Sequence, residues 1–139
     1  MQDLLGKLNY KGQDRIAVIN AGECFMKTLS GSLPEVRIDT GIDPRYPYSF
    51  IVLFVEKVAD IEHHAPMAVH NLMADGILWF FYPKRTSGIA TDIDRDHGWD
   101  ALTGAGLRGV RLVSFDNDWS GFRFRNIKYI KSMQDRTAR

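Results

Sequence analysis

The chain has a single cysteine, Cys24, in 139 residues, so no disulfide can form within it and a reducing compartment suits it. It lacks any apolar run near the roughly 18–20 residues that cross a bilayer. Its first segment, MQDLLGKLNYKG, lacks the apolar core and cleavage site of a secretory signal. A cytoplasmic protein without membrane contact is the expectation. An excess of one charge is missing too. Eighteen Lys and Arg stand against 17 Asp and Glu, a net charge of +1, and such a balance predicts no nucleic-acid partner. Metal-ligand spacing is also absent. His63, His64 and His70 match no zinc pattern. Asp92-Ile93-Asp94-Arg95-Asp96-His97-Gly98 starts like a calcium loop. However, Gly98 comes one place late, and Thr103 stands where the twelfth-position Glu is needed. No metal is expected.

What is present is an ordinary globular composition, 45% hydrophobic and 25% charged. A chain of this length forms one domain, 1–139, that buries about 70% of its unfolded surface. The segment 1–12 reads as an amino-terminal helix or arm, with Leu4, Leu5 and Leu8 at helical spacing and Gly12 ending it. The segment 131–139 reads as a frayed polar tail.

The organising stretch is Tyr48–Lys84. Phe50–Val55 and Ile77–Phe81 are β-branched and aromatic without polar alternation, the pattern of strands buried on both faces. Val58, Ile61, Ala65, Val69 and Leu72 between them have helical spacing. Pro66 predicts a break, with the helix proper running Pro66–Met73 and Asp75-Gly76 turning the chain into the next strand. Strand, helix and strand form a right-handed βαβ unit. Ahead of it come a strand at Arg15–Asn20, a short helix at Glu23–Leu29 stopped by Gly31 and Pro34, and an alternating edge strand at Glu35–Asp39. Behind it, the polar segment Lys84–Asp96 is the longest loop and the expected mobile one. Asp96 is placed to cap a helix carrying Trp99, Leu102 and Ala105. Val110–Phe115 and Gly121–Ile127 then make an antiparallel hairpin, with Phe122 and Phe124 on one face and Arg123 and Arg125 on the other.

LMADGILWFFYPK resembles the helix–Gly–strand passage before the fifth strand of class I S-adenosylmethionine-dependent methyltransferases. AGLRGVRLVSFDNDWSGFRF resembles their closing reversed hairpin. The same segments resemble a bacterial domain-of-unknown-function family of small α/β proteins. The resemblance implies an α/β fold of three layers, a shortened, methyltransferase-like relative of the Rossmann fold. Its sheet would be mostly parallel and end in an antiparallel hairpin, with the strand from Arg15 central and one strand–helix pair missing. It also implies S-adenosylmethionine as a possible cofactor. Against the enzymes' several glycines after the first strand, however, this chain has N-A-G-E-C.

In such sheets ligands bind beyond the carboxyl ends of the strands. The candidates there are Asn20, Gly22 and Glu23 after the first strand, Asp39 ending the second, and Tyr82 and Lys84 after the fourth. Asp39 follows the first loop by roughly the 20 residues of a ribose-binding acid. Alternatively it is a solvated strand-end carboxylate beside Arg37, whose replacement by Ala would barely change the unliganded fold. The Lys84–Asp96 loop can fold over a strand-end pocket, offering Arg95 to an anionic group and Asp96 or His97 for proton transfer. Cys24 is either a thiol activated in a helix first turn or a small buried hydrophobe. The basic residues Arg123, Arg125, Lys128, Lys131, Arg136 and Arg139 read as a solvated, charge-protected edge.

Three functions stay open. The first is a methyltransferase-like domain without catalysis that binds a small ligand or a protein partner. The second is a transferase using an adenosine cofactor, and the third a structural or oligomerising module marked by an exposed edge strand. No sequence feature sets an oligomeric state.

Overall fold

A strand without polar alternation needs cover on both faces, and the two such runs of this chain become neighbours in mid-sheet. The computed structural model describes residues 4–130. Its strands are β1 (Arg15–Ile19), β2 (Arg37–Asp39), β3 (Tyr48–Phe54), β4 (Leu72–Pro83), β5 (Leu107–Ser114) and β6 (Trp119–Asn126). They form one six-stranded sheet of order β2-β1-β3-β4-β6-β5. β2, β1, β3 and β4 pair in parallel, and β6 runs antiparallel to both β4 and β5. The predicted architecture, with β3 and β4 central and a closing antiparallel hairpin, is the observed one.

Helices cover the two faces and complete three layers. The α1 turn (Leu4–Lys7) and α2 (Glu23–Ser32) lie on one face. There Leu8, Phe25 and Leu29 pack on Ile16, Val18, Phe50, Val52, Trp79 and Phe81. Trp79 is fully buried, and its Nε1–H donates to the Leu8 carbonyl at 2.9 Å, which pins the amino-terminal arm to the sheet. On the other face lie α3 (Val58–His70) and α4 (Asp100–Thr103). Ile61, Ala65, Ala68 and Leu102 pack there on Ile19, Leu53, Leu78, Phe80 and Phe124.

Four local expectations are corrected. The helix between β3 and β4 does not begin at Pro66 but runs through it, from Val58 to His70. Ile61, Ala65 and Ala68 form a continuous buried stripe, while Pro66 and Glu62 face solvent. The carbonyl that Pro66 cannot serve is therefore one that water can reach, and packing outweighs a helix cost of about 3 kcal/mol. Gly31 lies inside α2, which runs to Ser32 with Leu33 as its C-cap, just before Pro34. Cys24 is exposed, not buried, because Phe25 and Leu29 take the core face of α2. Asp96 caps nothing, since α4 begins later, at Asp100 with Trp99 as its N-cap. The tail 131–139 lies outside the described residues.

β2 is shorter than its alternation suggests, three residues, paired Arg15↔Arg37 and Ala17↔Asp39. Asp39 thus stops level with the middle of β1, two residues short of Ile19.

Candidate functional site

The carboxyl end of β4 is Tyr82-Pro83, followed by Lys84 and Arg85. The loop returning beside it is anchored to the fold at Asp92 and Ile93. Asp92 Oδ1 accepts the backbone N–H of Val58 at 2.8 Å, satisfying a first-turn donor of α3. Ile93 is 3% exposed. Gly98 has φ +104, and a Cβ there would sit 2.8 Å from Val58 Cγ2, so the turn needs glycine twice over.

Asp94, between these anchors, organises the turn. Its Oδ1 accepts the Asp96 N–H at 2.8 Å and faces His97 Nδ1 at 2.8 Å. Its Oδ2 accepts from Arg85 at 2.9 Å, and its backbone carbonyl accepts from Trp99 Nε1 at 2.8 Å. The bond from His97, then the Asp96 N–H and Arg85, hold the Asp94 carboxyl down at about 2. The Nδ1 edge of His97 is thus engaged by a carboxylate, which orients the ring and leaves its Nε2 edge without a partner among the described residues.

These groups line a cavity of about 370 Å³ together with Tyr82, Pro83, Lys84, Arg95, Asp96 and Ser120. Tyr82 forms its floor at 6% exposure. Burial first, then Asp94, push the Tyr82 phenol above its ordinary value, so it stays protonated. Lys84 is turned away, donating to Ser114 Oγ and the Asp116 carbonyl on the hairpin. Arg95 and the Asp96 carboxylate are exposed and carry no ion pair or side-chain hydrogen bond among the described residues. The cavity therefore presents a guanidinium, an oriented imidazole and a carboxylate above the Tyr82 ring.

The other sequence candidates gather differently. Asn20 ends β1 at φ +60, with its Nδ2 3.4 Å from Nε2 of His64 on α3. Burial, helped by His63, lowers the His64 pKa, so the ring is neutral near pH 7. Beside it a cavity of about 280 Å³ is lined by Ile19, Gly41, Ile42, His63, His64 and Met67. It lies at the point where the sheet order reverses. Gly22 precedes α2 in open space, and Glu23 is exposed in a surface pair with Lys27 at 3.1 Å.

Asp39 is largely withdrawn from solvent. Its side chain is 12% exposed and accepts from Arg15 Nε at 2.8 Å, Arg37 Nε at 3.0 Å and the Tyr48 hydroxyl at 2.5 Å. Arg15 also reaches Asp43 at 3.1 Å and lies 4.1 Å over the Tyr46 ring. Asn71, 5% exposed, closes this side by donating to the carbonyls of Asp43 and Tyr46, each at 3.0 Å. Despite partial desolvation, the bonds from Tyr48, Arg15 and Arg37 hold the Asp39 carboxyl below its ordinary value.

The sequence matches no protein-family model and no curated protein. Solved structures show the fold. A ribosomal protein L11 methylase from Lactobacillus delbrueckii subsp. bulgaricus aligns over 88% of this chain and 75% of its own, with a TM-score of 0.54 and 11% identity. The [4+2]-cyclase SpnF aligns over 88% and 77%, with a TM-score of 0.54 and 10% identity. A Sulfolobus solfataricus protein provisionally assigned to the type 11 methyltransferases aligns over 88% and 89%, with a TM-score of 0.52 and 12% identity.

The chain has a shortened, methyltransferase-like α/β fold. One of these neighbours is named for cyclisation rather than methyl transfer, so the likeness speaks for architecture. The residues of this chain fit S-adenosylmethionine poorly. The acid placed to bind a ribose has three protein donors on it, from Arg15, Arg37 and Tyr48, and it stops below the crevice. Among the described residues no group of His, Cys, Asp and Glu is arranged to hold a metal ion, and no helix is long and apolar enough to cross a membrane.

Proposed function

We propose that this protein is a ligand-binding domain on a methyltransferase-like fold, without methyl-transfer chemistry. Its ligand is a small acid carrying a second hydrogen-bonding group, held in the cavity at the carboxyl end of β4. The observation that carries this reading is the convergence of Arg95, His97 and Asp96 over Tyr82 on a turn fixed by Asp94. Arg95 would take the acid group in a charge-assisted pair. His97 Nε2 and the Asp96 carboxylate would take a hydroxyl or amine. The cytoplasmic setting and the kinship with the bacterial small α/β family belong to this reading, as does the absence of a nucleic-acid partner.

A second reading, an S-adenosylmethionine-dependent transferase, is favoured by the fold and by the open space at Gly22, where a Cβ would meet nothing within 4 Å. The occupied carboxylate of Asp39 ranks it below the first.

Thermal-shift titration of the full chain separates them. The probes are hydroxy acids, amino acids and dicarboxylates on one side, and adenosine and S-adenosyl compounds on the other. Ligand at 100 times its Kd adds about 2.7 kcal/mol, a rise of roughly 5–15 °C for a domain of this size. The first reading expects that rise from a small acid and its loss in Arg95→Ala. A rise with S-adenosyl compounds alone, kept in Arg95→Ala, would overturn it.

A further inference from the structure

The arginines of the hairpin, which as a sequence read as a solvated edge, are not equivalent in the structure. Arg125 donates two bonds of 2.7 Å to Asp75, a bidentate pair that neutralises it. Arg123, two residues earlier on the same strand face, lies opposite Trp79 on β4 and opposite Arg111 on β5. It is half-buried, and its Nε is shut off from water with no hydrogen-bond partner. Arg111 is exposed and has neither an ion pair nor a side-chain hydrogen bond among the described residues.

This arrangement has two defects. Like charges directly opposite in an antiparallel ladder repel, and a buried N–H without an acceptor forfeits its hydration for nothing. Burial first, then Arg125 and Arg111, press the Arg123 guanidinium below its ordinary value, with Asp75 alone acting the other way. The acid that acts on Arg123, Asp75, is already held by Arg125.

One bound oxyanion relieves the repulsion, because it accepts from the outer N–H groups of both guanidinium groups and separates the two cations. We propose that Arg111 and Arg123, on the open face of the β5–β6 hairpin, form a phosphate-binding site for free phosphate or the terminal group of a small phosphomonoester. Two facing guanidinium groups suit a doubly charged tetrahedral anion better than a carboxylate, which one bidentate arginine satisfies, as Asp75 does for Arg125. The site is separate from the cavity at the end of β4, for Arg123 is in register with Trp79, in the interior of that strand.

The test uses the full chain, titrated with inorganic phosphate and with glycerol phosphate against chloride at matched ionic strength. Melting temperature and the Arg123 Nε–Hε NMR resonance are followed together. At ten times its Kd, phosphate is expected to raise the melting temperature by about 5 °C and to shift that resonance saturably. Arg111→Ala, at an exposed position, should fold normally and lose the response. Arg111→Glu should also lose it, and should melt higher than wild type in phosphate-free buffer, because the introduced carboxylate can pair with Arg123 in the anion's place. Arg95→Ala should keep the full response. Glycerol phosphate binding as tightly as phosphate marks the ester as the source; binding only of phosphate marks the free ion. The proposal is overturned if phosphate does no more than chloride, or if Arg111→Glu responds like wild type. A response lost in Arg95→Ala but kept in Arg111→Ala would overturn it too, and would place the phosphate in the β4 cavity instead.

Discussion

The β1–β2 side and the β4 side of this sheet use the same residue types to opposite ends. At β2, Asp39, Arg15 and Tyr48 turn on one another and leave little for a ligand, with the Asp39 side chain 12% exposed. At the end of β4, Asp94 also gathers a basic partner and a ring, but from the rim of a cavity of about 370 Å³, so that His97, Arg95 and Asp96 keep open valences. An acid that serves the fold is surrounded by its donors. An acid that serves a site sits behind the group it orients, and the difference is one of register and exposure rather than residue type.

Asp39→Ala should give the largest effect and tests how closed the first side is. It strips charged acceptors from Arg15 and Tyr48 and should cost about 2–3 kcal/mol in urea unfolding. This reverses the expectation for an exposed strand end. A loss below about 0.5 kcal/mol would mean the network is not closed.

Gly98→Ala strikes the other side through its backbone. The φ of +104 and the Val58 contact at 2.8 Å should cost about 1–3 kcal/mol and shift the turn. Ligand response should fall with it while the Asp39 side is untouched, which NMR shifts of Arg15 and Tyr48 can check.

Arg95→Ala should leave the unliganded melting temperature within about 1 °C, since surface substitutions move stability little. It should nonetheless weaken small-acid binding at least about tenfold, the loss of a charge-assisted hydrogen bond.

Acid titration gives the smallest and most graded contrast. The Asp94 carboxyl is lowered from 3.8 to about 2, so its stabilising effect is complete above about pH 4 and disappears as the pH falls through 2. Asp94→Asn should flatten that part of the curve. His64 works at higher pH on the β1 side. Its folded pKa lies below 6.5, so the unfolded chain binds protons first and stability declines as the pH drops below that value. His64→Gln should remove this decline.

How far all this was legible follows from where each signal resides. The order of the central strands could be read because Phe50–Val55 and Ile77–Phe81 announce burial on both faces by composition alone. The strand-end rule pointed to Tyr82 and Lys84, the loop after them to Arg95 and Asp96, and all four line a single cavity. Pro66 misled because the rule against proline is local, whereas the stripe of Ile61, Ala65 and Ala68 that carries the helix past it is set by the sheet beneath. Asp39 misled because its partners lie 24 and 9 residues away and meet only through the register of β2. In the loop, the acid that organises the turn is Asp94 rather than Asp96. Nothing in D-I-D-R-D-H-G distinguishes them until the turn closes and brings the Asp96 N–H and His97 Nδ1 onto the Asp94 carboxylate.

The most direct test of the central claim is backbone amide chemical-shift mapping on the full chain. It is titrated first with the best small acid from the thermal-shift panel and then with S-adenosylmethionine. Shifts concentrated at Tyr82–Arg85 and Asp94–His97 with the acid, and none at Asn20–Glu23 or Asp39 with either compound, are the expected result. Saturable shifts at Asn20–Glu23 and Asp39 with S-adenosylmethionine, and a silent β4 cavity, would contradict it.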